Sequence, residues 1–195
     1  MTVTAQRLCV GLTGRMASGK GEAVRLLQER GFTYVSLSDI VRCEAARENP
    51  EVSRARMQDI GNRLRAEGGA GVLGRMVRER ILAATEPRWV IDGIRNPAEV
   101  QELKKLESFF LVGVDSDIPT ILARMRQRGR ATDAVAEKEL RAALEREWGS
   151  GEPADGQQVG PTLALADFTI ANNGTLDELR ARLDEVLKKI GAGHD

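Results

Sequence analysis

A chain of 195 residues, 42% hydrophobic and 30% charged, is long enough to bury a substantial core and is expected to form one domain, residues 1–195. Its 29 basic and 29 acidic residues cancel, so no net field draws it to nucleic acid or to an anionic membrane. A single histidine, at 194, and two cysteines, Cys9 and Cys43, leave no material for a histidine triad, a zinc cluster or a disulfide framework.

Residues 8–13 form a short apolar run ending at glycine, the pattern of a buried parallel strand. The spacing of Ala23, Leu26 and Leu27 predicts a helix over 22–30, stopped by Gly31. A second strand is expected at 32–37, followed by a helix over 39–48 capped by Ser38 and broken at Asn49-Pro50. An arginine-rich helical stretch covers 52–84 and is interrupted by the glycines of 67–71. Residues 89–92 read as a strand ending in Asp92, 97–106 as a helix, and 109–114, the most apolar run, as a central strand. A helix over 119–128 runs into an arginine cluster, 149–161 has loop composition, and 168–171 is a last strand. Thr175 and Glu178 make a capping box that opens an amphipathic helix to about 190. Strands alternating with helices predict a three-layer α/β fold with a parallel sheet, whose ligand site lies at the carboxyl ends of the strands.

The turn after the first strand reads Gly14-Arg-Met-Ala17-Ser18-Gly19-Lys20-Gly21-Glu22. Glycines between a strand and a helix let backbone N–H groups curl round an anion, the helix N-terminus adds partial positive charge, and Lys20 adds a full one. This is a phosphate-binding loop, with one departure. Gly21 stands where a hydroxyl would touch magnesium, and Glu22 follows it. A carboxylate there suits the helix dipole but repels phosphate, so it is expected to point away from the phosphates or to hold a metal-bound water.

Gly21 resembles the loop of nucleoside monophosphate kinases of the adenylate kinase type, although those commonly continue with Thr where this chain has Glu22. The likeness extends to "SLSDIVR", where it implies that Asp39 opens a helix and Arg42 clamps the acceptor's phosphate. It extends also to "IDGIR", where Asp92 would order magnesium-bound water and Arg95 take a phosphate oxygen, and to the arginine-bearing lid "RMRQRGR" with Arg124, Arg128 and Arg130. The ending "LADFTIANNGTLDELRARLDEVL" resembles dephospho-CoA kinases, which implies that the loop at Asn172, Asn173 and Gly174 approaches the adenine of ATP. The "DAD" segment and "HP" pair of those kinases are absent. Over nearly its whole length the chain is most similar to a group of bacterial and archaeal kinase-like proteins that combine "SDIVR", "IDGIR", "RGR" and the "ADFTI…NGTL" ending.

The resemblance implies a P-loop kinase fold with an acceptor-binding insertion at about 39–84 and a lid at about 124–160. It implies the cofactors ATP and Mg2+, held by Gly14, Ala17, Ser18, Gly19, Lys20, Gly21, Glu22, Arg124, Asn173 and Gly174. Catalysis would fall to Lys20, Asp39, Asp92 and Arg128, and acceptor binding to Asp39, Arg42, Arg95 and Arg130. The expected acceptor is a small nucleotide, a nucleoside or deoxynucleoside monophosphate. Dephospho-CoA is the alternative acceptor, and an ATP- or dNTP-binding regulator with little turnover is the alternative class. The guanine signature Asn-Lys-x-Asp is missing, which disfavours a GTP switch. With no leader pattern and no run of about eighteen apolar residues, the expected setting is the cytoplasm, with no membrane or nucleic-acid partner.

Overall fold

A computed structural model describes residues 7–48, 54–128 and 137–192. Among these residues, five strands alternate with helices in the order β1 (Leu8–Thr13), α1 (Lys20–Glu29), β2 (Thr33–Ser36), α2 (Leu37–Glu48), α3 (Arg54–Gly68) and α4 (Val72–Ala83). Then follow β3 (Arg88–Asp92), α5 (Pro97–Leu103), β4 (Ser108–Asp115), α6 (Ile118–Arg128), α7 (Glu137–Trp148), α8 (Val159–Leu163), β5 (Phe168–Ala171) and α9 (Leu176–Lys189). The sheet is parallel throughout, with strand order β2-β3-β1-β4-β5. Val10 on β1 lies in register with Val90 on β3 and Phe110 on β4. β4 is therefore interior, as its composition suggests, but β1 is the middle strand.

Alternation along β1 sorts its side chains into two layers. Val10 and Leu12 pack against α1 and α9 through Leu26, Leu27, Leu183 and Leu187. Cys9 joins the opposite layer, built from α2, α4 and α5 through Leu37, Val77, Ile81 and Val100. A smaller cluster joins Ile121, Leu122 and Met125 of α6 to Leu140 and Leu144 of α7, with Met16 and Ala17 of the loop after β1 packed against it. The three layers expected from the sequence are present.

Local differences have local causes. α2 begins at Leu37, and its cap is Ser36, whose Oγ accepts a hydrogen bond from the Ser38 N–H at 3.1 Å; Ser38 lies inside the helix. The segment 149–161, expected to be loop, contains the start of α8, where Pro161 sits in a first turn that requires no N–H from it. α7 was not anticipated within the lid, although Leu140 and Leu144 carry a helical four-residue spacing. Among the described residues no helix is long and apolar enough to cross a membrane.

This topology positions the site. β1 lies between β3 on one side and β4 on the other, and the chain runs from β1 through α1 to β2 at one edge and returns later to β4 across β1, so the loop 14–20 opens into the crevice where the strand order switches. Asp92 and Asp115, ending β3 and β4, flank it.

Candidate active site

The loop keeps its shape through backbone conformations that ordinary residues avoid. Gly14 and Gly19 have φ of +135° and +104°, and Ala17 stands at +56°. Both glycines are also hemmed in: a Cβ on Gly14 would fall 2.0 Å from the Val114 carbonyl, and one on Gly19 2.1 Å from Asn172 Nδ2. Gly19 caps α1 without a side-chain acceptor, so no capping side chain competes with an anion for the N–H groups of Lys20 and Gly21 at the start of the helix, while the Glu22 N–H donates to Gly19 O at 3.0 Å. Ser18 is buried, and its hydroxyl donates to Val114 O at 2.6 Å, so it anchors the loop to β4 with its side chain. Nothing lies within 4 Å of a Cβ built on Gly21. Glu22 is exposed and pairs with Arg25 at 3.1 Å, on the solvent face of α1.

Lys20 folds back over the loop. Its Nζ donates to the carbonyls of Gly14 and Arg15, both at 2.6 Å. Burial holds its ammonium below the ordinary lysine value; Arg95 pushes the same way, while Glu147, Asp92 and Asp115 oppose it.

Asp92 and Asp115 each carry a buried Oδ1 without a hydrogen-bond partner. A carboxylate oxygen shut away from water with no donor is costly, and such oxygens point to an absent proton donor or cation. The other oxygen of Asp115 accepts from Arg15 at 2.8 Å. Among the described residues no group of three or more His, Cys, Asp and Glu gathers round one point. Two such oxygens at the strand ends flanking the loop have the chemistry that a hydrated divalent cation would take up.

On the acceptor side, Asp39 and Arg42 lie one turn apart on α2 and form an ion pair with each other. Gly93, at φ +82°, brings the turn after β3 against α2, where a Cβ would sit 3.2 Å from Ser38 Oγ. The backbone of Arg95 is clamped at both ends. Its N–H donates to Glu99 Oε2 at 2.8 Å, and its carbonyl accepts from the Gln158 N–H at 2.7 Å. Glu99 is wholly buried and bonds Arg65 of α3 at 3.0 Å. Asn96 Nδ2 donates to the carbonyls of Ala154 and Gly156 at 2.8 and 2.9 Å. The segment 154–160, within the stretch expected to be loop, is thus a brace behind Arg95.

On the far side of the loop, Arg124 donates to Ser116 Oγ at 2.9 Å and reaches Ser18 O and Gly174 O at 3.4 Å. Asn173 Oδ1 accepts from the Asp117 N–H at 3.0 Å. Arg124, Asn173 and Gly174 therefore converge beside the loop. Arg128 ends α6, and Arg130 lies outside the described residues.

Four residues near the loop were missed in the sequence. Asp115 carries the same signal as Asp92, an acid closing an apolar strand. Arg15, Glu147 and Trp148 carry none: the Arg15 guanidinium stacks on the Trp148 ring at 4.0 Å, and Glu147 Oε2 accepts from the Met16 N–H at 2.7 Å.

Residues 13–141, from the phosphate loop into α7, match the model of an AAA domain. A UPF0200 protein of Methanoculleus marisnigri is 33% identical over 183 residues, covering 93% of this chain and 96% of that one. The chain belongs to the UPF0200 family. A UPF0200 protein of Sulfurisphaera tokodaii is 31% identical over 181 residues, 93% of this chain and 96% of its own. Among solved structures, shikimate kinase from Aquifex aeolicus matches with a TM-score of 0.58 and 14% identity, over 96% of this chain and 100% of that one. TT1252 from Thermus thermophilus matches with a TM-score of 0.58 and 20% identity, over 94% and 98%. At such identities the likeness concerns the fold. This UPF0200 chain has the fold of a P-loop kinase.

Proposed function

We propose that this UPF0200 protein transfers the terminal phosphoryl group of ATP to a small phosphate-bearing acceptor of the nucleoside or deoxynucleoside monophosphate class. The observation that carries the reading is the buried, unpartnered Oδ1 of Asp92 at the end of β3 beside the phosphate loop, with Arg95 three residues on in the same turn. A regulator that merely held ATP would have no use for a cation clamp beyond the phosphate loop.

In this reading the loop N–H groups and Lys20 bind the donor's phosphates, Lys20 exchanging its two carbonyl partners for phosphate oxygens. Arg124, Asn173 and Gly174 flank the adenine, and Arg42 and Arg95 hold the acceptor phosphate. Fixed guanidinium groups stabilise the charge that spreads over the transferred group's oxygens. Asp92 and Asp115 would hold the waters of magnesium, which supplies neutralisation of phosphate charge. Arg128 and Arg130 are assigned to the lid that excludes water. A phosphate acceptor is already an ionised nucleophile and needs no base. That suits Asp39, whose carboxylate is committed to Arg42. With dephospho-CoA the attacking group is a hydroxyl, and Asp39 would have to leave that ion pair to act as base.

The test is release of ADP from Mg-ATP by purified protein, with single nucleoside monophosphates, deoxynucleoside monophosphates or dephospho-CoA as acceptor. ADP formed only with one monophosphate class is expected. Turnover with dephospho-CoA alone would reassign the acceptor, and ATP binding without acceptor-dependent turnover would replace the kinase with a regulator.

A further inference from the structure

We propose that Arg65 and Glu99 are positioning residues for acceptor binding: their buried ion pair fixes the turn that carries Arg95 to helix α3 and so holds the acceptor clamp in place. The proposal rests on the reading of Arg42 and Arg95 as clamps for an acceptor phosphate. Glu99 stands in the first turn of α5, where a capping box needs it only to reach back to the Asn96 N–H. Here the carboxylate is wholly buried and accepts four hydrogen bonds. Oε2 accepts from the N–H groups of Arg95 and Asn96 at 2.8 and 3.1 Å, and Oε1 from Nε and Nη2 of Arg65 at 3.3 and 3.0 Å. Arg65 is itself only 6% exposed. Stability alone does not call for such a pair, because the cost of burying two charges rivals their attraction and apolar residues of like volume serve a core as well. What a guanidinium fork on a carboxylate adds is fixed geometry.

The turn that the pair holds is tied on its other sides as well. Thr13, the last residue of β1, donates through Oγ1 to the Ile94 carbonyl at 2.9 Å, and the Arg95 carbonyl accepts from the N–H of Gln158, just before α8, at 2.7 Å. On α3, a Cβ on Gly61 would stand 3.5 Å from Arg65 Nη1 and 3.7 Å from Val41 of α2, and Ile60 shares a core cluster with Val41. Val41 immediately precedes Arg42. A continuous set of contacts therefore runs from Arg42 on α2, through α3, to Arg95 after β3, and Arg65–Glu99 is its polar link. With its backbone held this way, the Arg95 guanidinium is presented from one fixed place, and a positioned clamp loses less freedom on binding than a mobile one.

Glu99→Gln keeps the shape and an oxygen for the backbone cap but removes the charge that Arg65 holds. Arg65→Lys keeps the cation and loses the fork, and as the milder change it carries the test if Glu99→Gln does not fold. ADP release from Mg-ATP is measured with AMP, CMP, GMP, UMP and dTMP, and the acceptor that the wild type turns over fastest is used throughout. Glu99→Gln is expected to raise the KM for that acceptor about tenfold and Arg65→Lys about threefold, with kcat and the KM for ATP each changed by less than about twofold. A general loosening of the fold would move both KM values. In an Arg95→Ala background, either substitution is expected to change the acceptor KM by less than about twofold, because a residue that acts through Arg95 has nothing left to position. An unchanged acceptor KM in each variant that folds, a comparable rise in the KM for ATP, or an undiminished effect in the Arg95→Ala background would overturn the proposal and leave the kinase reading standing. Wild-type protein that releases no ADP with any of these acceptors would remove the monophosphate-kinase reading and this one with it.

Discussion

Gly19→Ala attacks the loop through two costs that the structure separates. The residue stands at φ +104°, where an L side chain is strained by about 1–2 kcal/mol. The new methyl would also fall 2.1 Å from Asn172 Nδ2. Asn172 is 6% exposed and donates to Ser18 O at 2.8 Å, so moving it breaks a buried bond worth about 1 kcal/mol or more. Together these give about 2–4 kcal/mol, and for a domain of this size about 2–4 °C of melting temperature is lost per kcal/mol. Gly19→Ala is therefore expected to melt about 5–15 °C below the wild type. Gly21→Ala is the internal control: its Cβ meets nothing within 4 Å, and alanine favours a helix over glycine by up to about 1 kcal/mol. It should melt at the wild-type temperature or slightly above. Thermal unfolding followed by circular dichroism reads both. A Gly19→Ala protein melting within about 2 °C of the wild type, or a Gly21→Ala protein equally destabilised, would refute the packing of Asn172 on the loop.

Arg65→Met leaves the buried Glu99 carboxylate without its cation, and stability at neutral pH is expected to fall by about 3–5 kcal/mol in urea titrations. Burial already raises the Glu99 pKa above its unfolded value, and losing Arg65 raises it further. A raised carboxyl stabilises the fold when protonated and loses that contribution as pH rises, so the deficit should shrink from pH 7 toward pH 5; a pH-independent deficit would contradict this. Burial also pushes the Cys9 thiol up to about 12, whereas Cys43 is exposed. A disulfide thiol reagent at about pH 8 should titrate one cysteine in the native protein and both in denaturant. Rapid reaction of both in the native state would place Cys9 outside the core.

What could be read from the sequence was local. The strand at 8–13, the last strand at 168–171 and the Thr175–Glu178 capping box depend on periodicity and short-range hydrogen bonds, and they stand where expected. Gly14 and Gly19 were equally legible, because their positive φ angles favour glycine. Strand order was not, since a strand's pattern says that it is buried and not which neighbour it has. Asp115 was legible in principle by the rule that found Asp92. Glu147 was not: its partner lies 131 residues away, and a glutamate on a charged helix looks solvated until packing buries it. The brace behind Arg95 is of the same kind, since Asn96 meets Ala154 across 58 residues. Capping positions shifted by two, from Ser38 to Ser36, because both serines offer the same hydroxyl and only the backbone turn decides between them.

The central claim is that the loop, Lys20 and Asp92 transfer phosphate from ATP to a small phosphate-bearing acceptor. ADP release measured with Mg-ATP and each acceptor, for the wild type, Lys20→Ala and Asp92→Asn, tests it directly. The account predicts acceptor-dependent ADP from the wild type, none detectable from Lys20→Ala, and at least about a hundredfold less from Asp92→Asn. Undiminished ADP release by Lys20→Ala would contradict it.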